Sequence, residues 1–224
     1  MSQPVKRGMK IIYNKYDKRL ISQLPRVIFP GRIVVIVSEQ EAERAVDYLL
    51  SQPILGIDTE TRPNFKKGSN HQVALMQVSD YNTCFLFRLN QLGMPSCIIR
   101  LLEDMTIPKV GLSLHDDMKM LHQRVDFTPG YFIDLQKHVC EIGIEDLSLQ
   151  KIYANLFHER ISKRQQKSNW EADVLSEKQE NYAATDAWTC IKIYEELQRL
   201  KQSHDYKLDI VSEENFDNKV ENKL

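Results

Sequence analysis

The stretch ILGIDTET, residues 54–61, places two acidic side chains at the end of an apolar run. Its first half is aliphatic and typical of a buried β-strand, whereas Asp58 and Glu60 close it with one residue between them. Residues i and i+2 of an extended chain point to the same side, so both carboxylates face one way at the mouth of a core strand. Burying two like charges so close together is costly unless something neutralises them.

Two later segments carry acids that could join this pair. The segment KVGLSLHDDMKML puts Asp116 and Asp117 at the start of a helix, directly after a short strand. Asp is common there because it caps backbone N–H groups, and one of the two could serve that role alone. In NYAATDAW, Tyr182 and Asp186 are four residues apart and share one face of a helix. Small alanines around them allow that helix to approach other backbone closely.

Together these segments predict a cluster of four carboxylates, contributed by strand ends and by two helices: Asp58, Glu60, one of Asp116 and Asp117, and Asp186. Mg²⁺ or Mn²⁺ would neutralise such a cluster, because hard divalent cations prefer oxygen ligands. Two cations bridged by carboxylates are a common apparatus for in-line attack on a phosphodiester. The cofactors predicted from the residues are therefore two divalent metal ions.

The remaining sequence predicts one α/β domain. The chain has 224 residues, 42% of them hydrophobic, which suits a single large core. Strands come early (RIVVIV, ILGIDTE, VALMQVSD, TCFLFRL, KVGLSL) and helices dominate late, an order that favours a mixed sheet with helices on both faces. YFIDLQ fits either a strand or an extended entry to a helix. The predicted division is a basic N-terminal arm with a short helix (1–25), the domain (26–203) and a charged, frayed tail (204–224).

Charge and cysteine content restrict the environment of the chain. The net charge is −1, but residues 6–19 hold six basic side chains against one acidic one, so a local basic face could meet an anionic partner. The four cysteines form no CxxC pair and are expected to be buried free thiols of a reducing compartment. Without a secretory signal or an apolar run of roughly 18–20 residues, we expect a cytoplasmic protein that does not enter membranes.

The three acidic motifs, in this order, resemble those of DEDD-type 3′–5′ exonucleases, in the subgroup with tyrosine. The wider match is similar to the exonuclease domain shared by ribonuclease D and the Werner syndrome protein, over about residues 30–200. It includes ALMQVSD, FIDLQ, LSLQKIYANLF and the long segment that begins at KSNWEAD. The resemblance implies a ribonuclease H-like fold, a central mixed β-sheet flanked by α-helices. It also implies release of nucleoside 5′-monophosphates from the 3′ end of DNA or RNA. One alternative is a catalytically inactive nucleic-acid-binding module of the same fold. Another is a different ribonuclease H-like nuclease, such as an endonuclease, against which the Tyr-x-x-x-Asp helix argues.

The resemblance also assigns roles to residues. The implied metal ligands, which with Tyr182 are also the catalytic residues, are Asp58, Glu60, Asp117 and Asp186. Asp117 fits better than Asp116, since Leu121 stands four residues after it and Gly111 at the family's distance before it; Asp116 stays as an alternative. Tyr182 would orient the attacking water, because a phenol with a pKa near 10 is a poor base at pH 7.

Basic and aromatic residues near the acids are the candidate nucleic-acid contacts. Charged side chains would hold phosphates without regard to sequence, and an aromatic ring could stack on a terminal base. These candidates are Arg62, Phe65, Lys66, Lys163, Arg164 and Lys167, with their neighbours Lys67 and Arg160. The plainer alternative for each is a solvated loop or, for Phe65, packing. We further expect Gln77 to support Glu60 or the chain end, and Trp170 to be a packing anchor.

Overall fold

The computed structural model describes residues 9–64 and 70–211. Its elements, in chain order, are β1 (Lys10–Tyr13), α1 (Lys18–Ile21), β2 (Arg32–Ile36), α2 (Glu39–Leu49), β3 (Leu55–Thr61), β4 (Val73–Ser79), β5 (Thr83–Phe87), α3 (Leu89–Leu92), α4 (Ser96–Glu103), β6 (Lys109–Gly111), α5 (Leu114–His122), β7 (Phe132–Asp134), α6 (Leu135–Cys140), α7 (Leu149–Phe157), α8 (Glu177–Ser203) and β8 (Tyr206–Asp209). YFIDLQ thus contains both a strand, β7, and the start of a helix, α6.

Six strands form the central sheet in the order β2-β5-β4-β3-β6-β7. Only β4 is antiparallel to its neighbours, and the other five run in one direction. Helices α2, α4 and α5 pack on one face around an aliphatic and phenylalanine-rich core. Helices α6, α7 and α8 cover the other face. The mixed sheet with helices on both sides that the sequence predicts is therefore confirmed.

Successive residues of β3 point alternately toward the helices on one face of the sheet and toward α8 on the other. Leu55 and Ile57 are buried in the core beneath α2 and α4. The intervening Gly56 lies against α8, where a Cβ would stand 1.9 Å from the carbonyl oxygen of Ala187. Small residues on both elements let the helix backbone approach the strand, as the alanines of the third acidic motif predict. This contact brings α8 onto the face of β3 from which the two acids project.

Gly56→Ala is expected to destabilise the fold, because the added methyl group meets a backbone carbonyl that cannot rotate away. We expect a loss of about 2 kcal/mol, or a fall of roughly 5 °C in Tm. Thermal unfolding followed by circular dichroism measures it. Equal Tm values for Gly56→Ala and the parent chain would contradict the close approach.

Two strands near the ends of the described chain form a second, parallel sheet. β1 pairs with β8 in the register Lys10 opposite Tyr206 through Tyr13 opposite Asp209. The prediction of a frayed tail is therefore wrong for 206–209, and β1 lies within the predicted arm. Neither strand has a local partner, since the pairing joins residues almost two hundred positions apart, so the short apolar runs give no signal by themselves. The sheet docks on the domain through the Lys10 ammonium, which donates to the Leu156 carbonyl at 2.8 Å.

Three of the four cysteines have the buried environment that the sequence predicts. Cys84, Cys97 and Cys190 are buried free thiols as predicted, whereas Cys140 is free but exposed, because it ends the short helix α6 at the surface. Across residues 9–64 and 70–211, no helix joins the length and the apolar character needed to cross a bilayer.

Candidate active site

β3 presents Asp58 and Glu60 toward α8, at the carboxyl end of a central strand. On the neighbouring strand β4, Gln77 stands directly opposite Asp58. The Gln77 amide nitrogen donates to Asp58 Oδ2 at 3.2 Å. The prediction that Gln77 supports Glu60 is therefore wrong: Gln77 orients Asp58, because directly opposite residues of an antiparallel pair lie closest together. Its alternative role, at the chain end of a substrate, stays a prediction.

Helix α8 brings the third acid to this strand. Asp186 is only 6% exposed and Glu60 only 8%. One carboxylate oxygen from each of Asp58, Glu60 and Asp186 lies within 4.8 Å of the other two. Tyr182, one turn before Asp186, is 7% exposed and borders the same cavity. The pairing of strand and helix motifs predicted from the sequence is thus realised in space.

Asp117 stands beside this group rather than within it. Its Oδ1 accepts a hydrogen bond from the hydroxyl of Thr59, which lies between the two acids in the sequence of β3. Asp117 is half-buried while Asp116 is exposed, so Asp117 is the acid that turns toward the site. The start of α5 is held by Asp134, whose two carboxylate oxygens each accept a backbone N–H, from residues 113 and 114, at 3.0 Å.

Burial raises the pKa values of all four acids, and repulsion from neighbouring carboxylates adds to it for Asp58, Glu60 and Asp117. Burial is the first cause throughout, and it raises the pKa of Glu60 to about 10 and that of Asp117 to about 6. The pKa of Asp186 rises to about 7, opposed by its hydrogen bond with Tyr182 and by the charge of Lys163. The pKa of Asp58 lies well above its usual value because burial is joined by the charges of Asp117 and Asp186. The cluster therefore lacks sufficient positive charge of its own.

The acids lie in an open cavity of about 390 Å³. Aliphatic side chains form part of the cavity wall, and hydroxyl, amide and ammonium groups form another part. Besides the acids and Tyr182, the lining residues include Leu112, Leu147, Ser148, Leu149, Gln150, Ile161, Ser162, Lys163, Gln166 and Cys190. The cavity thus combines an anionic floor with both apolar and polar walls.

The donor set fits hard divalent cations. Asp186 Oδ1 is buried and has no hydrogen-bond partner among the residues that the structure describes. A buried carboxylate oxygen left without a partner is costly, and it is the kind of atom that a cation satisfies. Three carboxylates supply oxygen ligands only, which suits Mg²⁺ or Mn²⁺ better than a softer metal.

The predicted nucleic-acid contacts differ in where the structure places them. Lys163 borders the cavity, and its ammonium donates to the Ser148 hydroxyl at 3.2 Å. Arg164 and Lys167 are exposed on the same loop, outside the cavity lining. Phe65, together with the adjacent lysines Lys66 and Lys67, lies outside the described residues, so their role stays a prediction.

Two other arginines have structural partners. The guanidinium of Arg62 contacts Glu171 Oε2 at 3.2 Å, and the other oxygen of that carboxylate contacts His71 Nδ1 at 2.8 Å. Arg160 Nε donates to the Leu24 carbonyl at 2.9 Å, which ties the loop to the N-terminal region. A phosphate contact by Arg62 would therefore compete with Glu171. Arg160 contacts the Leu24 carbonyl instead of being placed for the expected phosphate contact.

Some supporting residues are not evident from the sequence. Thr59 orients Asp117, 58 positions away in the sequence. Ser148 orients Lys163, 15 positions away, and Glu171 orients Arg62, 109 positions away. Only Thr59 carries a signal, because it lies inside the first acidic motif. Trp170 is fully buried, and its ring centroid lies 6.0 Å from that of Tyr182, so it is the packing anchor that the sequence predicts.

Comparison with known proteins agrees with this geometry. A family model described as 3′–5′ exonuclease matches residues 33–202. The chain is 29% identical over 194 residues to the mouse bifunctional 3′–5′ exonuclease/ATP-dependent helicase WRN, a match that covers 81% of this chain but 14% of that protein. It is 30% identical over 202 residues to a 3′–5′ exonuclease of Arabidopsis thaliana, covering 79% of this chain and 67% of the relative.

A solved structure shows the same fold at lower identity. The crystal structure of Escherichia coli RNase D, an exoribonuclease involved in structured RNA processing, superposes with a TM-score of 0.65 at 18% identity, covering 77% of this chain and 46% of that one. Because the family model spans most of the domain, the chain belongs to the 3′–5′ exonuclease family, and its sheet and helices have the ribonuclease H-like fold of that family.

Proposed function

We propose that this chain is an active, divalent-metal-dependent 3′–5′ exonuclease that removes nucleoside 5′-monophosphates from the 3′ end of DNA or RNA. The observation that carries the proposal is the meeting of Asp58, Glu60 and Asp186 within 4.8 Å beside Tyr182, in a cavity open to a polymer end. Family membership supports the reaction class, and a complete set of acids argues against an inactive module.

Two ions, Mg²⁺ or Mn²⁺, would be held by Asp58, Glu60 and Asp186, with Asp117 close by. Bound there, they would supply Lewis-acid stabilisation of the charge that develops on the phosphate and on the leaving 3′ oxygen. The unpartnered Asp186 Oδ1 and the mutual repulsion of the acids support this assignment.

Tyr182 would orient the attacking water rather than deprotonate it. Burial, followed by the charges of Asp186 and Glu60, raises the pKa of its phenol well above the usual value, so the hydroxyl keeps its proton at neutral pH. A protonated phenol donates one hydrogen bond and accepts another, which can fix a water between itself and the scissile phosphate. Glu60 can accept a hydrogen bond from that water or from the terminal 3′-hydroxyl.

The remaining walls fit the end of a nucleic-acid strand. Lys163, held by Ser148 at 3.2 Å, offers a positive charge to the phosphate beside the acids. The aliphatic side chains of Leu147, Leu149 and Ile161 offer an apolar surface for a terminal base. Neither feature distinguishes ribose from deoxyribose, so the proposal covers both polymers.

A digestion of single-stranded oligonucleotides tests the proposal. With Mg²⁺ or Mn²⁺ we expect a 5′-labelled DNA or RNA to give a ladder of shortened products, and EDTA to stop it. A circular single strand should remain intact, because it has no 3′ end. Binding of the oligonucleotide without any shortening would instead support the inactive nucleic-acid-binding module.

Tyr182→Phe is expected to lower kcat roughly 10- to 100-fold with KM little changed, because the variant loses only the hydroxyl that orients water. Steady-state cleavage of a short oligonucleotide measures both constants. The variant should stay folded with a Tm lower by at most a few degrees, because the ring packing against Trp170 is retained and only a hydrogen bond to Asp186 is lost. A kcat equal to that of the parent would remove Tyr182 from the mechanism.

A further inference from the structure

One wall of the cavity is held by a part of the chain outside the family match. Residues 13–21, here the N-terminal segment, precede the matched range 33–202. Backbone N–H of Glu145 donates to the Asn14 carbonyl at 2.8 Å. Backbone N–H of Tyr16 donates to the buried carboxylate of Asp146 at 2.6 Å. The N-terminal segment is therefore joined to the residues that lead directly into the cavity wall.

Side-chain packing fixes the same segment on α7. Asn155 forms a pair of hydrogen bonds with the backbone of Tyr13, accepting from its N–H at 3.0 Å and donating to its carbonyl at 2.7 Å. Tyr16 and Ile21 form a small buried cluster with Ala154. α1, whose first residue is the exposed Lys18, therefore packs on the same helix whose first residues border the cavity.

This arrangement gathers three lysines. Lys163 borders the cavity beside Ser148, and Lys151 on α7 pairs with Asp146 at 2.7 Å. Asp146 also accepts the backbone N–H of Tyr16, two residues before Lys18, so one carboxylate joins Lys151 to the segment that carries Lys18. In agreement with this placement, burial and then the charges of Lys18 and Lys151 lower the pKa of Lys163.

The charge of Lys18 is not neutralised by a neighbouring acid. Within residues 9–64 and 70–211, Lys18 makes no ion pair, because the adjacent Asp17 binds Arg19 at 2.9 Å. Lys163 lies near Asp186 and Lys151 pairs with Asp146, so Lys18 adds an unpaired positive charge to that of Lys163.

We propose that Lys18, together with Lys151 and Lys163, forms a phosphate-binding track along which the single strand leaves the cavity. The ligand is the sugar-phosphate backbone of nucleotides upstream of the 3′ end, contacted without regard to sequence. The track is continuous with the cavity through Lys163, which favours a nucleic acid over any other anionic partner. This inference rests on the proposed exonuclease function and assigns the N-terminal segment to the substrate interface.

The salt dependence of binding tests the track. Affinity for a 5′-fluorescent 12-nucleotide single strand is measured by anisotropy in the Asp186→Asn background, which prevents digestion, over a range of KCl concentrations. Loss of one phosphate contact to a single strand makes the slope of log K against log salt less negative by about 0.7. We expect that change for Lys18→Gln, with binding weakened about 3- to 10-fold at low salt, and restoration of the slope by Lys18→Arg.

Lys201→Gln is the control, because it also removes one lysine charge but at a remote position. Lys201 follows Asp186 by 15 residues on α8, which is about 22 Å at 1.5 Å per residue. An unchanged Tm for Lys18→Gln shows that the N-terminal segment keeps its fold. A slope for Lys18→Gln equal to that of Lys201→Gln would overturn the track while leaving the function intact, provided that the parent chain still ladders its substrate. A parent chain that neither binds nor shortens oligonucleotides overturns both.

Discussion

Asp186→Asn is expected to abolish exonuclease turnover, by at least about 1,000-fold, while the chain stays folded. The amide keeps the shape of the carboxylate but loses the charge that a divalent cation needs. Asp186 also has a buried oxygen without a hydrogen-bond partner among the described residues, so its loss removes an atom that a cation would satisfy. Because the substitution relieves repulsion between buried acids, the metal-free variant should unfold at the same temperature as the parent chain or a higher one.

Asp116→Asn is the matched control for this experiment. Asp116 is adjacent to Asp117 in sequence but exposed, whereas Asp117 is half-buried and accepts a hydrogen bond from Thr59. We expect Asp116→Asn to digest a labelled oligonucleotide at close to the parent rate, and Asp117→Asn to be severely impaired. Activity in Asp186→Asn within tenfold of the parent would reject the site. A strong loss in Asp116→Asn alone would reassign the second motif.

Metal-free protein is expected to lose stability as pH rises from 5 to 8.5. The pKa values of Asp117 and Asp186 are about 6 and about 7 in the folded chain, against about 3.9 in an unfolded one. The folded state therefore holds protons that the unfolded state has released. Stability is then greatest below the unfolded pKa and falls as pH rises through the folded values. In EDTA, we expect Tm to decrease by roughly 10 °C over this interval.

Divalent cations should reverse that trend, because they bind the ionised form of the cluster and only in the folded chain. Scanning calorimetry of the parent chain in EDTA and in saturating Mn²⁺ makes the comparison. Asp186→Asn serves as the control, since one titrating acid is removed and the decrease in EDTA should become smaller. A Tm that is constant or rising from pH 5 to 8.5 in EDTA would show that the acids are not buried together.

The acidic site is predictable from sequence because each part of it carries a local signal. Two acids two residues apart on a strand must face one way, and a Tyr and an Asp four apart on a helix must share one face. Gly56 and the alanines near Asp186 further indicate that the strand and the helix approach closely. These signals predict that the strand and the helix meet, and Asp58, Glu60 and Asp186 lie together at one cavity.

Contacts between distant segments are not predictable in this way. The pairing of β1 with β8 depends on two short apolar runs that meet only after the domain has formed. Ser148 beside Lys163, and Glu171 beside Arg62, are polar residues at ordinary loop positions, so nothing in their spacing identifies their partners. The error about Gln77 has the same cause, because the register of β4 against β3 decides that it reaches Asp58 rather than Glu60.

Anomalous diffraction from crystals grown with Mn²⁺ and a nucleoside 5′-monophosphate is the most direct test of whether these acids form a metal centre. We expect two manganese peaks, roughly 3.5–4 Å apart, coordinated by Asp58, Glu60 and Asp186 with the phosphate beside them. The absence of a peak among these carboxylates at saturating Mn²⁺, or manganese bound only elsewhere on the chain, would contradict the proposed function.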